Sequence, residues 1–183
     1  MSTYDVNMGI GCETGMAYHA PVGTALPEYP GATLDAAWQE IGAVSEDGIS
    51  YGMNHSLEPL RNWAKQIERL MSADGDATVT APFIDTTEST LKTLFGEDNV
   101  TVTAATADHG KLISVEIGPD TQTNAEAFLF LMKDGDDMIM IGTTRGFVTE
   151  VADIDFAPSD AITWEATISA KSWTVMKDNG QTV

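Results

Sequence analysis

Apolar and polar residues alternate with a period of two over much of the chain's second half, and that rhythm sets the expected fold. Ile162, Trp164, Ala166, Ile168 and Ala170 fall on one side of a segment whose other side is Thr163, Glu165, Thr167 and Ser169, as in a strand with one buried face. Val100 and Val102 alternate with Thr101 and Thr103, and Ile113, Val115 and Ile117 with Ser114 and Glu116. Ala125 to Met132 is apolar on both faces from Ala127 onward and reads as the most buried strand. It turns through Lys133 to Asp137 and returns as Met138 to Gly142. Phe147 to Phe156 reads as a further strand, with Asp153 and Asp155 opposite Ile154 and Phe156. Upstream, Val79, Ala81 and Phe83 alternate with Thr78, Thr80 and Pro82, behind a hairpin turn expected at Asp74-Gly75-Asp76. The clearest helix follows. Asp85 is placed to cap it with Glu88 three residues on, Leu91, Leu94 and Phe95 share a face, and Gly96 stands at its stop. Roughly eight or nine strands around one short helix make the chain mainly β, an antiparallel β-sandwich or partly closed barrel with one flanking α-helix.

The first third is read from its composition. Residues 1–33 are rich in Gly, Pro, Ala and Thr, with three prolines between Ala20 and Gly31, which predicts an extended arm with at most one short strand. A long arm without structure of its own is usually functional or ordered by a partner. Leu34 to Tyr51 then leads into the strand-rich body. It holds Trp38 and two short apolar runs, Ile41 to Val44 and Ile49 to Met53, around Ser45-Glu46-Asp47-Gly48, whose Asp-Gly pair suits a tight reversal. With no nucleophile-base pair and no metal-ligand spacing, it reads as a docking segment. From Leu57 the periodicity is ambiguous: Leu57, Leu60, Ala64, Ile67 and Met71 have helical spacing, while residues 67–72 also alternate as a strand would. The domain organisation expected is an arm over 1–33, a β domain over 34–171 and a C-terminal extension over 172–183.

Composition narrows the function classes. The 183 residues are 43% hydrophobic and 20% charged, enough for one domain with a real core. Nine Lys and Arg against 28 Asp and Glu give a net charge of −19, which disfavours binding to phosphate backbones or anionic membrane surfaces. Residues 1–60 carry eight acids and no Lys or Arg, and Arg61, Lys65 and Arg69 then arrive together. Two readings stand: separate solvated faces, or an electrostatic match between subunits that fixes register. The single Cys12 excludes an internal disulfide. The N-terminus has no secretory pattern, and no apolar run approaches the roughly 20 residues of a membrane span.

Catalytic constellations are missing from the sequence. There is no Gly-x-Ser-x-Gly elbow, and His19, His55 and His109 all fall in predicted loops, so a Cys12–His55 pair has only spatial chance behind it. No HExxH or paired CxxC is present, and the Asp-rich turns lack the glycine and closing Glu of a calcium loop. Asp153, Asp155 and Glu165 are the nearest acids for glycoside chemistry, better read as solvated strand faces. Trp38, Trp63, Trp164 and Trp173 could form a sugar-binding platform, although Trp164 lies on an inward face. No enzyme and no cofactor is expected; a carbohydrate-binding or adhesin-like β-sandwich module is the competing class.

Four segments in order carry a resemblance: APVGTALP (Ala20 to Pro27), LDAAWQEIGAVSEDGIS (Leu34 to Ser50), LRNWAKQIERL (Leu60 to Leu70) and TTESTLKTLFGEDNVTV (Thr86 to Val102). Together they resemble the major tail protein, or tail tube protein, of long-tailed, non-contractile bacteriophages, particularly those of actinobacteria, over about residues 16–170. The resemblance implies a structural virion protein that forms stacked, hexameric rings around a channel through which double-stranded DNA passes without specific binding. It implies inner strands joined into one continuous barrel, and loops and an N-terminal arm that contact the next ring. It also implies that Lys65 to Met71 is a strand of a long hairpin, against the helical spacing there. Its partners would be further copies of itself, the tape measure protein, the tail terminator and the distal tail protein, with no membrane; the protein would be made in a bacterial cytoplasm and end in the virion. Interface residues expected on this basis are Trp38, Ser45, Glu46, Asp47, Gly48, Arg61, Trp63, Lys65 and Arg69, with Asp153 and Asp155 facing the channel.

Overall fold

The computed structural model describes residues 17–118, 121, 123–157 and 161–180. Nearly half of the expected arm (residues 1–16, including Cys12) and residues 181–183 of the C-terminal extension lie outside the described residues. The fold is mainly antiparallel β with one short helix, as the alternation predicts. Its strands are β1 (Ala17–Pro21), β2 (Gln39–Glu40), β3 (Ser50–Arg61), β4 (Ile67–Phe83), β5 (Val100–Thr103), β6 (Leu112–Val115), β7 (Glu126–Asp134), β8 (Asp137–Val151), β9 (Trp164–Ala170) and β10 (Thr174–Asp178); the helix α1 spans Glu88–Phe95. Eight of the strands form one sheet in the order β2-β1-β7-β8-β9-β4-β3, with β10 also on β8, while β5 and β6 pair separately.

The long strand β8 organises this sheet. Along one edge it pairs with β7, from Asp134↔Asp137 to Glu126↔Gly146. Along the other it pairs first with β10, Met138 to Gly142 against Asp178 to Thr174, and then with β9, Gly146 to Val151 against Ala170 to Ala166. β9 and β10 thus run end to end, and residues 174–178 are a sheet strand rather than an appendage.

One face of the sheet carries the main core. Val79, Ala81 and Phe83 of β4, Ala166 and Ile168 of β9, and Phe128 and Phe130 of β7 pack there against Leu91, Leu94 and Phe95 of α1. Val102, Ile113 and Val115 close the flank from β5 and β6, and Phe95 meets Trp164 edge-on at 5.8 Å. Each such fully buried side chain contributes about 1.5–3 kcal/mol. The other face is covered only in part. The loop after β1 brings Leu26, Leu34 and Trp38 onto Ala127, Leu129 and Met140 in a second core. This explains the doubly apolar β7, which has a core on each face. Leu26 approaches so closely that a Cβ at Gly142 would lie 2.7 Å from it.

The helix begins two residues later than the sequence suggests. Thr87 is the N-cap, its Oγ1 accepting from the Thr90 N–H at 3.2 Å, while Asp85 accepts the Ala43 N–H at 2.8 Å. Tertiary demand takes Asp85 away from the helix. The C-terminal stop falls where expected, the Gly96 N–H donating to Lys92 O at 2.8 Å.

Three other expectations change. Asp74 to Asp76 is no turn but lies inside β4, beside a register shift opposite His55 and Leu57, and the hairpin reverses instead at Asn62 to Gln66. The strand reading over Lys65 to Met71 is correct from Ile67, and Lys65 takes a turn conformation (φ 62°). Ile41 to Val44 and Ile49 to Met53 do not pair with each other. Both flanks run along β4, through Val44↔Phe83 and then Ser50↔Thr80, and Ser45 to Gly48 bulges between them. Finally, the strand expected over Phe147 to Phe156 ends at Val151, after which Ala152 N–H still donates to Glu165 O at 2.8 Å.

Two measurements check this account. Ile168→Ala empties a site with 0% exposure and is expected to cost about 2–5 kcal/mol by urea denaturation. Glu88 joins α1 to the β6 flank, its carboxylate accepting from Lys111 at 2.6 Å and Lys92 at 2.9 Å, and these bonds hold its pKa down at about 2 from 4.5. A lowered carboxylate pKa gives stability that is present above pH 4.5 and lost as pH falls toward 2. The Tm difference between the unmodified chain and Glu88→Gln should therefore shrink across that window; a constant difference would refute the charge assignment.

Candidate functional site

The residues that the sequence marks for contacts separate into two groups at opposite ends of the β3–β4 hairpin. Only the part of β4 from Ala77 to Phe83 is held by β9; from Ile67 to Asp76 its partner is β3 alone. The hairpin therefore runs on past the end of β9. Its tip is closed by local bonds: Asn62 N–H to Gln66 O (3.0 Å), Lys65 N–H to Asn62 O (2.9 Å), Gln66 N–H to Asn62 Oδ1 (3.0 Å) and Arg61 Nη1 to Lys65 O (3.0 Å). Those bonds fix the turn and hold Lys65 in the left-handed region, which a non-glycine residue enters at a cost.

The tip gathers four of the expected interface residues. Trp63 is fully exposed, and Leu60 and Ile67 beside it are more than half exposed. Arg61, Lys65 and Arg69 surround them, and no carboxylate among the described side chains pairs with these cations. A large aromatic ring is thus presented to solvent on a tied turn, with cations near it in sequence.

The acidic loop lies at the other end. Ser45 N–H donates to Pro82 O, near the end of β4. Within the loop the Asp47 N–H donates to Ser45 Oγ and the Ser45 hydroxyl donates to Asp47 Oδ2, both at 3.1 Å. Gly48 N–H closes onto Ser45 O, and Gly48 has a φ of 71°, which suits glycine. Glu46 and Asp47 both face solvent. The fifteen residue steps of β4 from Ile67 to Pro82 put about 50 Å between this loop and the tip.

Trp38 belongs to neither group, being buried at 8% exposure in the second core. Asp153 and Asp155 are exposed on the segment after β8, beside Phe156 and Thr163, while Ile154 between them packs on the main core. The sheet face opposite that core carries, on β4, β8 and β9, mainly hydroxyls, together with Phe147 of β8 opposite Ser169 and the Arg145 guanidinium 5.5 Å over its ring. Thr80 meets Thr167 at 3.3 Å and Thr149 meets Ser169 at 3.1 Å, with Glu150 and Glu165 exposed beside them.

One cluster escaped the sequence. His19 lies in β1 rather than a loop, its Nδ1 2.9 Å from Glu126 Oε2 on β7 and its Nε2 3.4 Å from Ser89 Oγ on α1. The partners are 107 and 70 positions away, so no local motif announces them. Ser, His and Glu in line suggest nucleophilic chemistry, but the Ser89 hydroxyl donates to Glu40 O at 2.7 Å. Its proton is committed to a carbonyl instead of the imidazole, so the cluster works as a tie between β1, β2, β7 and α1. Among the described residues no group of His, Cys, Asp and Glu could hold a metal ion, and no helix is long and apolar enough to cross a membrane.

A family model described as phage tail tube protein matches residues 5–177. No curated protein matches the chain. Among solved structures, the anti-feeding prophage cap, a tube-terminating cap, is similar at a TM-score of 0.49 and 10% identity over 97% of both chains. A chain of the native gene transfer agent virion is similar at a TM-score of 0.39 and 11% identity over 80% of this chain and 92% of that one.

Proposed function

Because the chain belongs to the phage tail tube protein family, we propose that this structural tail protein is the repeating subunit of a hollow tube, built as stacked six-membered rings through which double-stranded DNA leaves the particle. One observation supports the stacking most: the acidic loop at Glu46 and Asp47 and the cationic, Trp-bearing tip at Arg61 to Arg69 lie at opposite ends of one hairpin. At about 50 Å apart they are many Debye lengths from each other, so they cannot pair within a subunit. Copies stacked along the hairpin bring the tip of one against the loop of the next, where opposite charge sets register and the buried Trp63 supplies area. The tape measure protein, the tail terminator and the distal tail protein are the further partners of such a tube.

The channel wall in this reading is the hydroxyl-rich face of β4, β8 and β9, with Glu150 and Glu165 on it and Asp153 and Asp155 at the end of β8. Hydroxyls paired with one another and carboxylates outnumber the one cation of this face, Arg145, which is held over the Phe147 ring at 5.5 Å, so phosphates find little to replace their counter-ions and DNA slides. Repulsion is confined to close range, because physiological salt screens charge within about 8 Å. A sugar-binding role has little left to work with. Trp38 and Trp164 are buried and Trp173 donates its indole N–H to Ala77 O, leaving Trp63 as the one fully exposed tryptophan.

Negative-stain microscopy of concentrated protein tests the tube directly: hollow stacked rings support it, and dispersed monomers at every concentration refute it. Reversing the tip charges (Arg61→Glu with Arg69→Glu) should lower the polymerised fraction on the order of tenfold, about 1.4 kcal/mol per interface. Adding Glu46→Lys and Asp47→Lys should restore it; no recovery would remove the loop-to-tip pairing while leaving hollow rings intact. Asp153→Lys with Asp155→Lys is expected to slow DNA release from assembled particles, and an unchanged release rate would take these two residues off the channel wall.

A further inference from the structure

The outermost strand of the sheet is unfinished. β3 ends the strand order, so among the described residues the outer edge of its twelve positions, Ser50 to Arg61, offers backbone N–H and C=O groups to no neighbouring strand. A long free edge of this kind invites another strand. Its side chains show the same lack. Tyr51 and Met53 pair with Val79 and Ala77 and so lie on the core side of the sheet. Yet Tyr51 is 48% and Met53 69% exposed, because the layer of α1, β5 and β6 does not extend over β3.

The chain outside the described residues has a matching pattern. Tyr4, Val6, Met8, Ile10 and Cys12 alternate with Asp5, Asn7, Gly9 and Gly11, the signature of a strand with one apolar face. Its nine positions fit within the twelve of β3. The segment joins the fold at Ala17 in β1, near the opposite edge of the sheet. Five strand spacings, about 24 Å, separate β1 from β3. The five residue steps from Cys12 to Ala17 span at most about 18 Å even when fully extended, so the segment falls short of its own β3. The β3 edge of an adjacent copy, set beside β1, lies within that reach.

We propose that residues 4–12 of one copy add as a strand to the free edge of β3 in a neighbouring copy, placing Tyr4, Val6, Met8, Ile10 and Cys12 on the side of Tyr51 and Met53. Strand addition satisfies the open backbone groups, and the alternating side chains select the face, since a one-residue slip would turn the apolar set to solvent. The proposal rests on the self-assembly argued above and deepens it, giving the N-terminal segment a seat.

Cys12, the one cysteine of the chain, provides the test. Full-length protein carrying one added cysteine in turn at Ser50, Tyr51, Met53 or Leu60 is polymerised, oxidised and digested, with Val175→Cys on β10 as the distant control; microscopy of each sample records whether tubes formed. A Cys12 disulfide to at least one β3 position, joining two different copies, is expected on the order of tenfold above the control, the enrichment that a held neighbour gives over chance encounter. Tubes without any such link, or a link only within one chain, would overturn the strand addition and leave the tube standing. Absence of tubes from the unmodified chain would instead sink the tube reading. In a second arm, Val6→Asp or Met8→Asp should abolish polymerisation while Asn7→Asp keeps it, with the monomer's melting temperature unchanged in all three. Equal effects at positions 6, 7 and 8 would overturn the one-faced strand.

Discussion

Backbone pairing along β8 is the constraint on which the rest of the structure depends. Its fifteen residues are flanked by β7 on one edge and by β10 and then β9 on the other. The changeover from β10 to β9, at Lys171 to Trp173, is also where β4 gains its second neighbour. Beyond that point β4 has β3 alone, so the projecting hairpin is the geometric result of β9 stopping at Ala170. Trp173 fills the corner, packing against Phe130 at 6.3 Å and donating its indole N–H to Ala77 O. A strand break that could have left a hole is therefore sealed by one aromatic residue, and what lies past it is free to serve contacts outside the subunit.

Much of this was legible because burial and periodicity agree. The alternation over Ile162 to Ala170 is recovered residue by residue in β9, where Trp164, Ala166, Ile168 and Ala170 are buried. The doubly apolar β7 reads correctly because two different cores press on its two faces. Sequence reasoning failed where a local signal competed with a distant one. Asp74-Gly75-Asp76 has good turn chemistry, but a register shift absorbs it inside a paired strand, and the true reversal at Asn62 to Gln66 carries a lysine at the left-handed position instead of a glycine. Asp85 has good capping chemistry, but the Ala43 N–H claims it across 42 positions and Thr87 takes the cap. Trp38 looked like a docking residue because the loop that carries it has no period; only the fold shows that this loop closes the second core.

The candidate contact surfaces were legible as residue types and illegible as places. Clustering of Arg61, Lys65 and Arg69 is a sequence fact, and so is the acidic run before it, but their neighbourhood in sequence suggested an electrostatic match without saying between what. Fifteen residues separate Glu46 from Arg61 along the chain, and the length of the hairpin turns that short interval into about 50 Å of space. The distance changes the meaning of the charges. Opposite charges close in space would be satisfied inside the subunit; held apart at the two ends of a hairpin, they are left for the contacts between copies proposed above.

Net charge then decides how such ends are used. At −19 two copies repel at long range, and approach is favourable only where the scarce cations meet carboxylates. Of nine Lys and Arg residues in the chain, three sit at or beside the hairpin tip, while Lys92, Lys111 and Lys177 are spent on carboxylates of their own subunit. Lys133, Arg145 and Lys171 lie elsewhere on the surface, so the tip is the one place where three cations follow within nine residues of sequence, and in the proposed stacking it would favour one orientation over the others. In the tube proposed above, the same excess of acid that would keep phosphate backbones from being held would also make the few exposed basic residues directional, so that a single charge distribution would serve both a polar stacking contact and a channel that does not grip what passes through it.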